Sequence, residues 1–266
     1  MDLQRTGALN QTHPVVDLHR TGALNRMHPT REPEEGKPAQ AAEERLDSGL
    51  DSLKEEEFQA VAAELRRLRL ESEPPAGELH DWRTRVTEDG DTMLHLAIIH
   101  DAKNDIGTMI DLSRRTEFLS AQNHQRQTPL HLAAITNQAD VCQRLLLAGC
   151  DPTLVDEGGD TPLHVTCRHG DLLCFSVITQ NCQPDHLYTA MAACNYQGLN
   201  CLHLASIQGF LSLVENMVDL GAEVNAKEQR NGRSALHLAV DRQNLSLVKL
   251  LLRKGADPNL LTSGGH

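Results

Sequence analysis

The stretch Gln127-Thr128-Pro129-Leu130-His131-Leu132-Ala133 returns along the chain in close copies. These are Thr92-Met93-Leu94-His95-Leu96-Ala97, Thr161-Pro162-Leu163-His164-Val165, Cys201-Leu202-His203-Leu204-Ala205 and Ala235-Leu236-His237-Leu238-Ala239. The spacing between successive histidines is 36, 33, 39 and 34 residues. Each copy is therefore one supersecondary unit, too small to bury its own apolar face, and neighbouring units must stack to make a core.

Local chemistry says what each unit is. Thr128 and Thr161 can cap a helix with their hydroxyls, and Pro129 and Pro162 then occupy the first helical position, where a missing N–H costs nothing. Leu130, Leu132 and Ala133 point into the stack, the alanine small enough to let helices approach. The helix is expected to stop near Gly170, Gly209, Asn137 and Asn244, residue types that tolerate a left-handed turn. A second helix follows at Val141–Leu147, Leu213–Val218 and Leu247–Leu252, closed by Gly149, Gly221 or Gly255, which opens a hairpin toward the next unit. In period and motif the chain resembles ankyrin-repeat proteins. The resemblance implies an all-α solenoid of helix-turn-helix plus β-hairpin repeats, five of them, at residues 87–121, 122–157, 158–193, 194–229 and 230–262. The third departs at Thr166, where others carry Ala, and in its longer run through Gln183-Pro184-Asp185-His186.

A chain of 266 residues with only 3% aromatics would make a poor globular core, but leucine and alanine layers suit a solenoid. The seven cysteines all fall within the repeats, with no C-x-x-C pair, and read as reduced packing thiols rather than a zinc site. No metal or cofactor is expected, and a structural role is expected for the five motif histidines. The net charge of −12 disfavours direct contact with nucleic acid and suits a basic protein surface. There is no apolar run of 18 residues and no signal peptide.

Ahead of the repeats, residues 1–56 read as a disordered regulatory arm. It holds a duplication, Asp2–Asn10 returning as Asp17–Asn25, to which we assign no role. Within the arm, Asp47-Ser48-Gly49-Leu50-Asp51-Ser52 is flanked by Glu43, Glu44, Glu55, Glu56 and Glu57. Phosphorylating both serines would add roughly −3 to −4 of charge and several strong acceptors for an arginine-rich reader. Residues 57–73 read as an amphipathic helix, and Val61, Leu65, Leu68 and Leu70 have the spacing of a nuclear export signal; packing against the first repeat is the alternative. Residues 74–86, opening with Pro74-Pro75, read as a linker, residues 87–262 as the repeat domain and 263–266 as a tail.

DSGLDS ahead of such a stack is similar to the inhibitors of NF-κB. The resemblance runs over residues 45–262, through Thr87-Glu88-Asp89-Gly90-Asp91 and Leu94–His100. It implies a cytoplasmic protein, shuttling to the nucleus, whose stack holds a Rel-homology dimer, covers its nuclear localisation segment and blocks DNA binding. It further implies phosphorylation of Ser48 and Ser52 by the IκB kinase complex, reading of the phosphorylated motif by an F-box ubiquitin ligase, conjugation at Lys37 or Lys54, and carriage by a nuclear exportin. The chain stops at Gly264-Gly265-His266, where a sixth repeat would start, without the family's acidic C-terminal tail; a truncated product or a short form is expected.

No phosphate loop, G-x-S-x-G or His-Glu zinc motif is present, so an enzyme is not expected. The rival reading is a general ankyrin scaffold or kinase-inhibitor-type module carrying a turnover signal. For the partner's basic segment the sequence offers five carboxylates within 18 residues at the start of the stack: Glu88, Asp89, Asp91, Asp101 and Asp105.

Overall fold

Each copy of the motif opens a helix, and each such helix is followed by a second. A computed structural model of the chain describes residues 59–60, 62–63, 81–181 and 184–265. A short helix α1 (Asp81–Thr84) precedes the pairs α2 (Met93–Ile99) with α3 (Lys103–Leu112), and α4 (Pro129–Ile135) with α5 (Ala139–Ala148). Then come α6 (Pro162–His169) with α7 (Leu172–Asn181), an additional helix α8 (Pro184–Ala192), α9 (Cys201–Gln208) with α10 (Leu211–Asp219), and α11 (Ala235–Asp241) with α12 (Leu245–Arg253). The architecture is all-α: the described residues hold only two isolated β-bridges, Val86 with Thr92 and Lys227 with Ser234. None of their helices is long and apolar enough to cross a membrane.

The motif histidine does more than fill space. Thr92 N–H donates to His95 Nδ1 at 3.1 Å while Thr92 Oγ1 accepts from His95 N–H, so the histidine completes the capping arrangement usually made by Glu or Gln. Because Nδ1 is the acceptor, the proton sits on Nε2, which donates to Gln127 O in the next repeat at 3.0 Å. The pattern recurs from His131 to Asp160 O, His164 to Ala193 O and His203 to Ala226 O, each at 3.0 Å. His237 repeats the cap through Ser234, with no repeat beyond it among the described residues. One side chain thus starts its own helix and ties it to the following hairpin or the residues that lead into it.

A second ladder runs through the hairpin tips. His124 N–H donates to Asp89 O, Glu157 N–H to Gln125 O, Tyr196 N–H to Gly158 O, Gln229 N–H to Gly198 O and Ser263 N–H to Asn231 O, all between 2.8 and 3.1 Å. Backbone groups that loops would otherwise leave to water are in this way paired between repeats. The end of the chain, read as a tail from residue 263, forms a sixth tip, closed by Gly265 N–H on Thr262 O.

Apolar burial follows the repeat. Leu94, Leu96, Leu130, Leu132 and Leu145 with Ile106 and Met109 fill the first two units. Leu163, Phe175, Leu202, Leu213, Met217, Leu247 and Leu251 fill the last three. Each such side chain contributes about 1.5–3 kcal/mol relative to exposure. Thr166 is fully buried where other repeats carry Ala, and the fold accepts it because its hydroxyl donates to Leu163 O at 2.8 Å. Cys142, Cys150, Cys167, Cys174 and Cys201 are buried free thiols. Cys142 and Cys174 lie 3.8 Å apart, and Cys182 falls outside the described residues.

Two sequence expectations change. The left-handed residue ending α11 is Gln243 (φ 55°), not Asn244; Asn244 instead caps α12, its side chain accepting from Leu247 N–H at 3.0 Å. Gly170, Gly209 and Asn137 do take the left-handed turn. Residues 74–86, read as a linker, contain α1, whose Trp82 is fully buried and meets Phe118 edge-on with ring centroids 5.2 Å apart. Arg83 lies over the same indole, donates to Ser113 Oγ at 3.1 Å and caps the α3 carboxyl end through Leu112 O.

Candidate partner-binding surface

The expected acidic surface begins at the first hairpin. Thr87 N–H donates to Asp91 O and Gly90 N–H to Thr87 O, both at 2.9 Å, with Gly90 at φ 77°. That turn throws Glu88 and Asp89 outward, where both are exposed. Asp91 goes the other way. It is 5% exposed and accepts from Asn123 Nδ2 at 2.7 Å, tying the first tip to the second. Asp105 is also buried, in the first turn of α3, where a carboxylate is favoured by the helix dipole. Asp101 is exposed at φ 51° in the turn between α2 and α3, with Lys103 Nζ at 3.6 Å, an exposed pair of little energetic weight.

The five-carboxylate cluster is therefore corrected to three outward acids, Glu88, Asp89 and Asp101. Asp91 and Asp105 hold the fold. Sequence reasoning overlooked this because hairpin position, not charge, decides which acid turns inward: Asp160, the counterpart of Asp91 in the third repeat, is also buried, accepts from Asn195 Nδ2 at 2.7 Å and pairs with Arg168.

Further residues escaped the sequence reading. Tyr196, 64% exposed, lies against the Gly158–Gly159 backbone and takes a hydrogen bond from Arg126 Nη1 at 3.3 Å, spanning three repeats along the tips. Glu228, 2% exposed, gathers the N–H groups of Arg230 and Asn231 at 2.7 and 2.8 Å and that of Arg233 at 3.4 Å. Burial alone would raise its pKa, but these donors outweigh it and hold the carboxyl below its ordinary value. Burial lowers the pKa of His131, His164 and His203, keeping them neutral as the ladder requires.

Lys37, the segment Asp47-Ser48-Gly49-Leu50-Asp51-Ser52, Lys54, Val61, Leu65, Leu68 and Leu70 lie outside the described residues. Of the helix expected at 57–73, Gln59, Ala60, Ala62 and Ala63 are helical, and Ala62 is fully buried. Among the described residues no group of three or more His, Cys, Asp or Glu is placed to hold a metal ion.

Comparison with known proteins places this stack. A sequence profile described as "Ankyrin repeats (3 copies)" matches residues 72–156, 108–187, 130–228 and 177–262. NF-kappa-B inhibitor alpha of Gallus gallus is 49% identical over 225 residues, covering 84% of this chain and 71% of that protein. Its counterpart in Mus musculus is 50% identical over 196 residues, covering 73% and 62%. Among solved structures, the ankyrin repeat domain of Bcl-3, titled a unique member of the IkappaB protein family, superposes with a TM-score of 0.63 at 35% identity over 67% of this chain and 78% of that one.

Proposed function

Since this chain belongs to the NF-kappa-B inhibitor family of ankyrin-repeat proteins, we propose that its stack binds a Rel-homology dimer, covers the dimer's nuclear localisation segment and blocks DNA binding. The identity to the alpha inhibitors carries this reading, since it extends over 84% of this chain. Glu88, Asp89 and Asp101, exposed at the first repeat, supply the charge that a Lys/Arg-rich localisation segment seeks. The binding titration that tests it compares the parent with a variant carrying Glu88→Gln, Asp89→Asn and Asp101→Asn. Each exposed pair contributes about 0.2–1 kcal/mol, so the triple change should weaken binding of a full-length Rel dimer roughly 3- to 160-fold, with a shallower salt dependence. A dimer lacking its basic segment should be little affected. Failure of the parent to bind any Rel dimer would refute the function; equal loss for both dimers would refute only the surface.

Release follows the arm in this reading. The IκB kinase complex phosphorylates Ser48 and Ser52, an F-box ubiquitin ligase reads the doubly charged motif, and Lys37 or Lys54 accepts ubiquitin before proteasomal degradation. Val61, Leu65, Leu68 and Leu70 engage a nuclear exportin, so the protein shuttles and is chiefly cytoplasmic. Changing Ser48 and Ser52 together to Ala should abolish stimulus-induced loss of the protein in cells, measured by pulse-chase; an unaltered half-life refutes the degron.

A further inference from the structure

The residue four places after the motif histidine stands in the last turn of the first helix of every pair: Ile99 in α2, Ile135 in α4, Arg168 in α6, Ile207 in α9 and Asp241 in α11. These helices pack each on the next, so the five side chains form a column along the stack, half-buried at the first four positions and exposed at Asp241. Asp241 is answered within its own repeat by Arg233 at 3.2 Å. The column is therefore apolar at repeats one, two and four and cationic at repeat three. Arg168 is also held in place. Its Nη2 donates to the buried Asp160, which is itself fixed by Asn195, while no acceptor stands against Nε or Nη1 among the described residues. Most of the guanidinium fork is thus left for a further acceptor.

The fold does not require this cation. Asp91, the counterpart of Asp160 in repeat one, is equally buried and is satisfied by Asn123 without an ion pair among the described residues, and Ile99 stands where Arg168 does. A half-buried arginine, aimed by a carboxylate, partly unfilled and set between Ile135 and Ile207, has the make-up of an interface anchor. We propose that Arg168 reads a carboxylate on the Rel dimer, one flanked by apolar side chains that meet Ile135 and Ile207. This rests on the Rel-binding reading and adds to it what the partner must carry. The acidic surface at repeat one and Arg168 at repeat three are two helix-packing steps apart, roughly 16–20 Å, so the partner's acidic residue lies about that far from its basic segment. A dimer with a basic segment and no such acid forfeits the anchor, which makes Arg168 a determinant of which dimers the stack prefers.

The test titrates three full-length proteins, the parent, Arg168→Gln and the double variant Asp160→Asn, Arg168→Gln, against a full-length Rel dimer and against the same dimer lacking its basic segment. Thermal unfolding is measured for all three. The double variant replaces the ion pair by near-isosteric neutral groups and keeps an oxygen for Asn195 Nδ2, so it separates the cation from the stability of the pair. Both variants should bind roughly tenfold or more weakly than the parent, and by the same factor for both dimers, because the acid lies outside the basic segment. Affinity that falls only in the single variant, in step with its unfolding temperature, overturns the proposal, since the arginine would then serve only Asp160. Unchanged affinity in both variants overturns it too, as does a loss confined to the dimer that keeps its basic segment. A parent that binds neither dimer refutes the Rel-binding reading and the proposal with it; a parent that binds both as its variants do refutes the proposal alone.

Discussion

Replacing Trp82 by alanine is expected to destabilise the first repeat by about 2–4 kcal/mol. A fully buried tryptophan truncated to Ala ordinarily costs about 3–5 kcal/mol, because transfer free energy and a cavity both count against the variant. Here part of that is returned. Trp82 Nε1 is buried without a hydrogen-bond partner, and leaving such a donor unpaired already costs the parent about 1–3 kcal/mol. Phenylalanine separates the two contributions: Trp82→Phe keeps a ring against Phe118 and removes the unpaired N–H, so it should cost far less than alanine. Urea unfolding followed by circular dichroism measures both. A solenoid loses stability locally, so early loss of repeat one ahead of the rest is the expected form of the transition. A Trp82→Ala protein as stable as the parent would mean that α1 adds nothing to the stability of repeat one.

The second large effect is loss of stability in mild acid. His131, His164 and His203 are buried and neutral, with pKa values lowered from the ordinary 6.5. Their Nδ1 atoms accept a capping N–H, so a proton cannot be added without breaking the cap. The unfolded chain titrates near 6.5 and so binds more protons than the folded chain just below that pH. Stability is therefore whole above about pH 6.5 and falls as the pH drops from there through the folded values, by about 1.4 kcal/mol per pH unit for each histidine so linked. Glu228 adds a later loss of the same sign: its pKa is depressed from the ordinary 4.5, and its contribution disappears as the pH falls below that value. Unfolding free energies measured at about pH 7.5, 6.5 and 5.5 should be level across the first interval and drop across the second. A flat profile would rule out neutral histidines as the joints between repeats.

Much of the stack was legible because its signals are local. Thr128 and Thr161 as caps, Pro129 and Pro162 in the first turn, and Gly149, Gly170 and Gly209 at left-handed ends follow from the chemistry of one or two residues. What was not legible depends on neighbours far along the chain. Trp82 stands in a stretch without periodicity, and only its contact with Phe118, 36 residues on, makes it core. Asp91 and Asp89 look alike in sequence; Asn123, in the next hairpin, decides that one is buried. Gln243 rather than Asn244 takes the left-handed turn because Asn244 has a better use as the α12 cap.

The two ladders also dictate where such a chain can change its length. From the first residue of a hairpin tip to the motif histidine the count is eight in the first four repeats, from Thr87, Asn123, Asp156 and Asn195, and nine in the last, from Glu228. The tip ladder is anchored inside that interval, and the histidine rungs land inside it or two residues ahead of it, on Ala193 O and Ala226 O, so an added residue there shifts donors away from acceptors. From each histidine to the next tip the count wanders between 25 and 31, and the longest of these stretches is the one that houses α8. Growth is confined to the returns between the second helix of a pair and the next hairpin, ahead of the histidine acceptors, where neither ladder passes. An inserted loop, tag or foreign domain placed in that return, as between Asn181 and Pro184, meets a part of the fold that already tolerates variation; one placed between a tip and its histidine meets the part that does not.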